Sequence, residues 1–149
     1  MFYVGEITDL EAGIAGEHLV CAELILKGYR AFKSDQNCPY DVAVEYKNQL
    51  IRIQVKSTRK PKAVPQRKSI IPAYMWHVRR AGKGGNRVYG NDDFDILALV
   101  ALDTAKIAYT PIQKVKNTIH IRVGKNISNK GYSFEQFSFE GALGEKFNR

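Results

Sequence analysis

Four polar residues in three separate segments have the types and spacing of a site that holds a hard divalent cation. Glu17 lies in an N-terminal stretch typical of a helix, and Asp41 begins an alternating segment. Gln54 and Lys56 end the next such segment. Carboxylate, amide and main-chain carbonyl oxygens, including that of Val55, suit Mg²⁺, with Mn²⁺ as a substitute. A lysine offsets the negative charge that develops in a phosphodiester during hydrolysis. Together these residues predict metal-dependent hydrolysis of a phosphodiester.

The helix that carries Glu17 is predicted over residues 10–27, because this stretch has good helix formers, no proline, and Gly28 at the C-terminal cap. Thr8 or Asp9 is the candidate N-cap. One apolar stripe consists of Leu10, Ile14, Cys21 and Leu24. Glu17 is at its centre, and a carboxylate on a buried face needs an ion or a hydrogen-bonding partner. Alternatively, Glu17 lies at the rim and the helix buries a second stripe. That stripe consists of Ala15, Leu19, Ala22 and Leu26.

Residues 40–46 and 50–56 alternate apolar and polar side chains and predict two antiparallel strands with a turn at Asn48-Gln49. With that turn, Asp41 faces Lys56. Glu45 then faces Arg52 as an ordinary cross-strand ion pair. Opposed side chains share a sheet face, so the polar candidates meet at the open end of the hairpin. The alternative is a solvated polar face without a function.

Further strands are predicted over residues 29–34, 74–80, 93–102 and 106–112. An irregular loop is expected from Ser57 to Ile71, because prolines and charges are frequent there. The string AGKGGN, residues 81–86, predicts a flexible turn. Three phenylalanines near the C-terminus predict edge structure or an oligomer contact; they are Phe134, Phe137 and Phe139.

Three short motifs contain the candidate residues: Gly16-Glu17 in the first helix, Pro39-Tyr40-Asp41, and Gln54-Val55-Lys56. Over residues 10–60 this pattern resembles the PD-(D/E)XK nuclease superfamily. It departs from the commonest form at Tyr40, which separates the proline from the aspartate, and at Gln54, where a second carboxylate is usual. The resemblance implies an α/β fold with a restriction-endonuclease-like α+β core: an N-terminal helix, a mixed β-sheet, and an extra basic hairpin or loop. It also implies that Glu17, Asp41, Gln54 and Lys56 are catalytic.

Within this superfamily, the size, the charge and the Q-x-K variant are similar to those of homing endonucleases encoded in group I introns. That resemblance implies sequence-specific cleavage of double-stranded DNA to 5′-phosphate and 3′-hydroxyl ends. One chain offers one site, so cutting both strands calls for a homo-oligomer, a dimer or a tetramer. Three alternatives stay open: an archaeal-type Holliday-junction resolvase, a catalytically weak DNA-binding module, and an RNA-binding accessory protein.

Positive charge is concentrated in the middle of the chain. The 149 residues include 23 Lys and Arg against 15 Asp and Glu, a net charge of +8. No acidic residue lies between Glu45 and Asp92, whereas 12 basic residues do. This segregation favours binding to the phosphates of a nucleic acid, although a solvated loop or an acidic lipid surface would also suit it. The candidate DNA contacts are Arg59, Lys60, Lys62, Arg67, Lys68, Arg79, Arg80, Lys83 and Arg87.

Length and cysteine content exclude several classes of protein. A chain of 149 residues that is 44% apolar is long enough for one domain, residues 1–149, with its own core. Cys21 and Cys38 form no C-x-x-C pair or Cys/His cluster, which excludes a zinc ribbon or finger. The N-terminus lacks the pattern of a signal peptide, and no window approaches a membrane span. We therefore expect a cytoplasmic protein that does not bind membranes.

Overall fold

An N-terminal helix, α1, spans Asp9–Leu26 in a computed structural model that describes residues 3–63, 72–78, 93–122 and 134–147. The Thr8 hydroxyl accepts the Glu11 N–H at 3.1 Å, and the Glu11 carboxylate accepts the Thr8 N–H at 2.9 Å. This capping box satisfies donors that a helix start leaves open. After the C-cap, Gly28 has a φ of 94°, a left-handed conformation that favours glycine. The predicted helix and both of its caps are confirmed.

The buried face of α1 lies between the two stripes considered above. Leu10 is 75% exposed, and Leu26 of the second stripe is 87% exposed. The residues that pack against the sheet are Ala12, Gly16, Val20, Cys21 and Leu24. Both predicted stripes were therefore only partly correct, because the small side chains between them let the helix approach the sheet closely. Glu17 lies at the rim of this face, where its side chain is 23% exposed.

Seven strands lie in the described part of the chain: β1 Arg30–Lys33, β2 Val42–Tyr46, β3 Gln49–Thr58, β4 Ala73–His77, β5 Ile96–Ala101, β6 Lys106–Pro111 and β7 Thr118–Arg122. A central sheet has the order β1-β2-β3-β5-β6, and β4 pairs with β7 in a second sheet. Within the central sheet β3 and β5 are parallel, and the other neighbours are antiparallel. A helix followed by a mixed sheet confirms the predicted fold class. The AGKGGN turn lies outside the described residues.

The central sheet separates two apolar cores. On one face, Ile53 and Val55 pack against α1 and against a C-terminal helix, α2, which spans Phe139–Phe147. On the opposite face, Leu97 and Leu99 pack against β4 and β7. There Trp76 is buried, and its indole N–H donates to the Val100 carbonyl at 3.1 Å. Because successive side chains of a strand point to opposite faces of the sheet, β3 and β5 contribute apolar side chains to both cores.

The β2–β3 hairpin differs from the prediction in register. Its turn is Lys47-Asn48, whose φ angles of 47° and 62° are typical of the type I′ turn that matches strand twist. Glu45 therefore lies opposite Leu50, and the predicted pairing with Arg52 is wrong. The Glu45 carboxylate instead lies 3.6 Å from the guanidinium of Arg30. The shift equals two residues in pairing, so the polar side chains stay on the predicted face.

The segment with the C-terminal phenylalanines lies beside β6, an edge strand of the central sheet, where the Phe137 carbonyl accepts the Tyr109 N–H at 2.8 Å. Phe139 begins α2 and is fully buried in the core beneath α1. Phe134 and Phe137 pack against the opposite core. Phe139 is therefore not available for an oligomer contact, whereas such a contact through the partly buried Phe134 and Phe137 stays a prediction. None of the helices in the described ranges is long and apolar enough to cross a membrane.

Candidate active site

The candidate site lies in a notch that forms where β3 extends beyond the end of its neighbour β2. The last residue pair between β2 and β3 is Val42 with Ile53, yet β3 continues to Thr58 and stays paired with β5 on its other side. Within the part of the chain that the structure describes, no strand pairs with the β2-facing edge of β3 from Gln54 onward. Side chains from both faces of the sheet can meet there, because none of the seven strands named above separates them.

Asp41 is held in this notch by three hydrogen bonds. Its N–H donates to the Ile53 carbonyl at 2.9 Å, and its carbonyl accepts the Ser34 N–H at 2.9 Å. Its carboxylate oxygen Oδ2 accepts the Val55 N–H at 2.8 Å. The side chain thus satisfies a main-chain donor that β2 would otherwise pair. Asp41 is positioned before any ligand binds.

Glu17 is brought to the notch by a close approach of α1 to β3. A Cβ atom at Gly16 would lie 1.9 Å from Ser57 Oγ and 3.5 Å from Val55 Cγ1. Only glycine allows this approach without a shift of the neighbouring side chain. The Gly16-Glu17 motif therefore has a geometric reason: the glycine sets the helix against β3, and the glutamate follows at the rim.

Lys33 is a member of the site that the motifs missed. It ends β1, lies opposite Val42, and places its Nζ 3.7 Å from Glu17 Oε1. A lysine on an edge strand is ordinary in a sequence. The signal was therefore absent, because the ion pair depends on how β1 pairs with β2.

The carboxylates and the lysines interact electrostatically. Burial raises the pKa of Asp41, while the Val55 N–H and the charges of Lys56 and Lys33 act to lower it. Burial likewise raises the pKa of Glu17, the nearby Asp41 carboxylate raises it further, and Lys33 opposes both effects. Asp41 thus lies close enough to Glu17 to raise the pKa of Glu17, and Lys56 lies close enough to Asp41 to lower the pKa of Asp41.

Gln54 and Lys56 alternate with the buried Ile53 and Val55, so their side chains lie on the face opposite α1. Both are partly exposed, as a site open to substrate requires. Val55 contributes its N–H to Asp41. Metal ligation by the Gln54 amide and by the Val55 carbonyl remains a prediction.

The donor set of the notch suits a hard cation. Among the described residues, no group of three or more His, Cys, Asp or Glu side chains is placed to hold a metal ion. The notch instead offers two carboxylates, Glu17 and Asp41, and the Gln54 amide and the Val55 carbonyl stay predicted ligands. Two partly buried carboxylates that repel each other are unfavourable without positive charge. A divalent cation with oxygen ligands would supply that charge.

The structure describes three of the nine basic residues that are predicted to contact DNA. Arg59 donates to the Ile7 carbonyl at 3.0 Å and lies 2.9 Å from the Asp9 carboxylate, so it ties the end of β3 to the start of α1. Lys60 and Lys62 follow β3 and are exposed or nearly so, with Lys62 bridged to Ala73. The others lie outside the described residues: Arg67, Lys68, Arg79, Arg80, Lys83 and Arg87. Their contact with DNA remains a prediction.

Comparison with known proteins agrees with this geometry. A family model described as PD-(D/E)XK endonuclease matches residues 9–139. The solved structure of a bacterial homing endonuclease, I-Ssp6803I, is similar with a TM-score of 0.66 and 15% sequence identity, over 90% of each chain. No curated protein matches the chain. At that identity the structural likeness shows the fold.

The family match extends across α1, the notch and the whole central sheet, so it includes every catalytic residue that the motifs predicted. Nucleases of this kind generally use divalent cations. The chain therefore belongs to the PD-(D/E)XK endonuclease family and is a DNA endonuclease.

Proposed function

We propose that the protein is a metal-dependent, sequence-specific homing endonuclease that hydrolyses double-stranded DNA to 5′-phosphate and 3′-hydroxyl ends. The main support is the notch itself, where the Val55 N–H holds the Asp41 carboxylate at 2.8 Å and this carboxylate interacts electrostatically with Glu17 and with Lys56. The fold shared with a bacterial homing endonuclease favours this branch of the family.

Glu17 and Asp41 would hold the cation, with the Gln54 amide and the Val55 carbonyl as further ligands. When bound, Mg²⁺ or Mn²⁺ polarises the scissile phosphate and makes a water molecule more acidic. The Val55 N–H keeps the Asp41 carboxylate in place, so no binding energy is spent on orienting it. Lys56 offsets the charge that develops on the phosphate and orients the attacking water.

Cleavage of both strands requires two such sites. A two-fold arrangement of copies matches the symmetry of antiparallel DNA strands. The protein is then a homo-oligomer, a dimer or a tetramer, with the basic middle of the chain against the duplex. A cytoplasmic location remains a prediction from the sequence.

The test is digestion of a randomised duplex library in Mg²⁺, followed by sequencing of the ends. The expected result is a narrow set of cut sites whose 5′-phosphate ends ligate directly. Lys56→Ala should bind DNA and leave it uncut. Cleavage restricted to a four-way junction would instead establish the resolvase, and binding without cleavage in any divalent cation would establish the DNA-binding module.

A further inference from the structure

Lys33 and Glu17 form an ion pair at the inner end of the notch. The Lys33 Nζ lies 3.7 Å from Glu17 Oε1, and the two side chains are 35% and 23% exposed. Water therefore screens this pair less than it screens a pair on open surface. The position of Lys33 is set by β1, whose last residue pair is Lys33 with Val42, directly beside Asp41.

The charge of Lys33 also reaches the second carboxylate. It lowers the pKa of both Glu17 and Asp41, against the effect of burial. Lys56, from the other flanking strand, acts on Asp41 as well. Two carboxylates that repel each other are thus balanced by two ammonium groups that belong to the chain itself.

We propose that Lys33 is the internal counter-ion of the Glu17 and Asp41 carboxylates, and that the catalytic divalent cation replaces it in this role. The inference rests on the proposed function, because it concerns the same site. Lys33 is a positioning residue that acts through Glu17. Without a cation, its ammonium group stabilises the closeness of the two carboxylates. With a cation bound, the same group is a like charge nearby and weakens the binding of that cation.

The test measures cation binding in the absence of DNA. Mn²⁺ is titrated calorimetrically into the full chain and into Lys33→Met, and thermal unfolding is followed in EDTA and in excess Mn²⁺. We expect Lys33→Met to bind Mn²⁺ about three- to tenfold more tightly, because a neighbouring positive charge is gone. In EDTA its melting temperature should fall below that of the natural protein, and Mn²⁺ should raise it by more.

Arg30→Met is the matched control. Arg30 lies on the same edge strand, and its guanidinium is 3.6 Å from the Glu45 carboxylate. Among the described contacts, Arg30 forms no ion pair with Glu17 or Asp41. This variant should therefore bind Mn²⁺ with the affinity of the natural protein.

A lysine with a merely structural role would lower the melting temperature equally with and without Mn²⁺ and leave Mn²⁺ affinity unchanged or weaker. That result overturns the inference, as would the absence of Mn²⁺ binding by the natural protein. If Lys33→Met does not fold, Lys33→Gln replaces it. When Glu17 is also replaced by Gln, Lys33→Met should lower the melting temperature in EDTA by less, because the partner carboxylate of Lys33 is already gone.

Failure of this inference is distinct from failure of the proposed function. A natural protein that cleaves DNA, together with a Lys33→Met variant of unchanged Mn²⁺ affinity, contradicts only the counter-ion role. A natural protein that cleaves no DNA, together with the expected gain in affinity, contradicts only the nuclease activity at this site.

Discussion

Asp41 and Asp95 lie on opposite sides of β3, and each accepts a main-chain N–H from that strand, yet their surroundings differ. Asp95 Oδ2 accepts the Arg52 N–H at 2.8 Å, and its Oδ1 lies 3.3 Å from Arg52 Nη2. Asp41 Oδ2 accepts the Val55 N–H at 2.8 Å. The cations that act on Asp41 are ammonium groups on flexible side chains, and burial still raises its pKa.

One sheet thus uses the same residue type in two ways. A guanidinium that hydrogen-bonds a carboxylate through two nitrogens satisfies it within the fold. Asp95 thereby joins β3 to the segment before β5. A carboxylate held by a main-chain N–H, with its charge only partly balanced, remains able to accept an external cation. Burial alone therefore does not distinguish the two aspartates; the kind of cation beside each one does.

The largest effect that separates the two regions is expected from Asp41→Asn. DNA cleavage in Mg²⁺ should fall on the order of a thousandfold or more, because a ligand and a charge are lost while the shape is kept. The melting temperature at neutral pH should stay the same or rise, since the charged form of Asp41 is disfavoured in the folded protein. Plasmid cleavage and circular dichroism measure the two effects. Cleavage at the natural rate would contradict the role of Asp41.

Asp95→Asn should show the opposite pattern. The substitution removes the charged partner of Arg52, whose side chain is 29% exposed. It should therefore lower the free energy of unfolding by about 2 to 3 kcal/mol. Cleavage per folded molecule should stay within a fewfold of the natural protein. Urea unfolding gives the stability. A variant that is stable but inactive would show that Asp95 belongs to the site.

Gly16→Ala tests whether the helix approach serves the Asp41 region. The new methyl group meets Ser57 Oγ, so the expected cost is about 1 to 3 kcal/mol, with a loss of cleavage beyond that of Asp95→Asn at equal stability. Ser57→Ala should recover part of the stability in the double variant. Ser57 Oγ is buried without a hydrogen-bond partner in the described part of the chain, so its removal alone should cost little. No gain in the double variant would contradict the steric explanation.

The smallest effect concerns pH in the presence of EDTA. Because the pKa values of Glu17 and Asp41 are raised, the folded protein binds more protons than the unfolded chain above the ordinary carboxyl pKa. The contribution of these groups to stability is thus present at low pH and is lost as pH rises through the raised values. Urea midpoints across this range should show it, and Asp41→Asn should have a flatter profile. An unchanged slope would contradict the burial effect.

Local patterns predicted much of this fold. Helix formers between a Thr8 cap and Gly28 predicted α1, and alternation predicted the strands on both sides of the notch. These signals succeed because helix ends and sheet faces depend on residues near in sequence. The family resemblance and the family model agree, and the sheet face that carries Gln54 and Lys56 was predicted despite the wrong turn.

The helix, most of the strands, the three motifs and the basic middle of the chain could be predicted from the sequence, because each depends on residues close in sequence. Tertiary structure alone decided which face of α1 is buried, the hairpin register, the burial of Phe139 and the ion pair of Lys33 with Glu17. Each of these depends on contacts between distant segments, where several arrangements share one local pattern and packing selects among them.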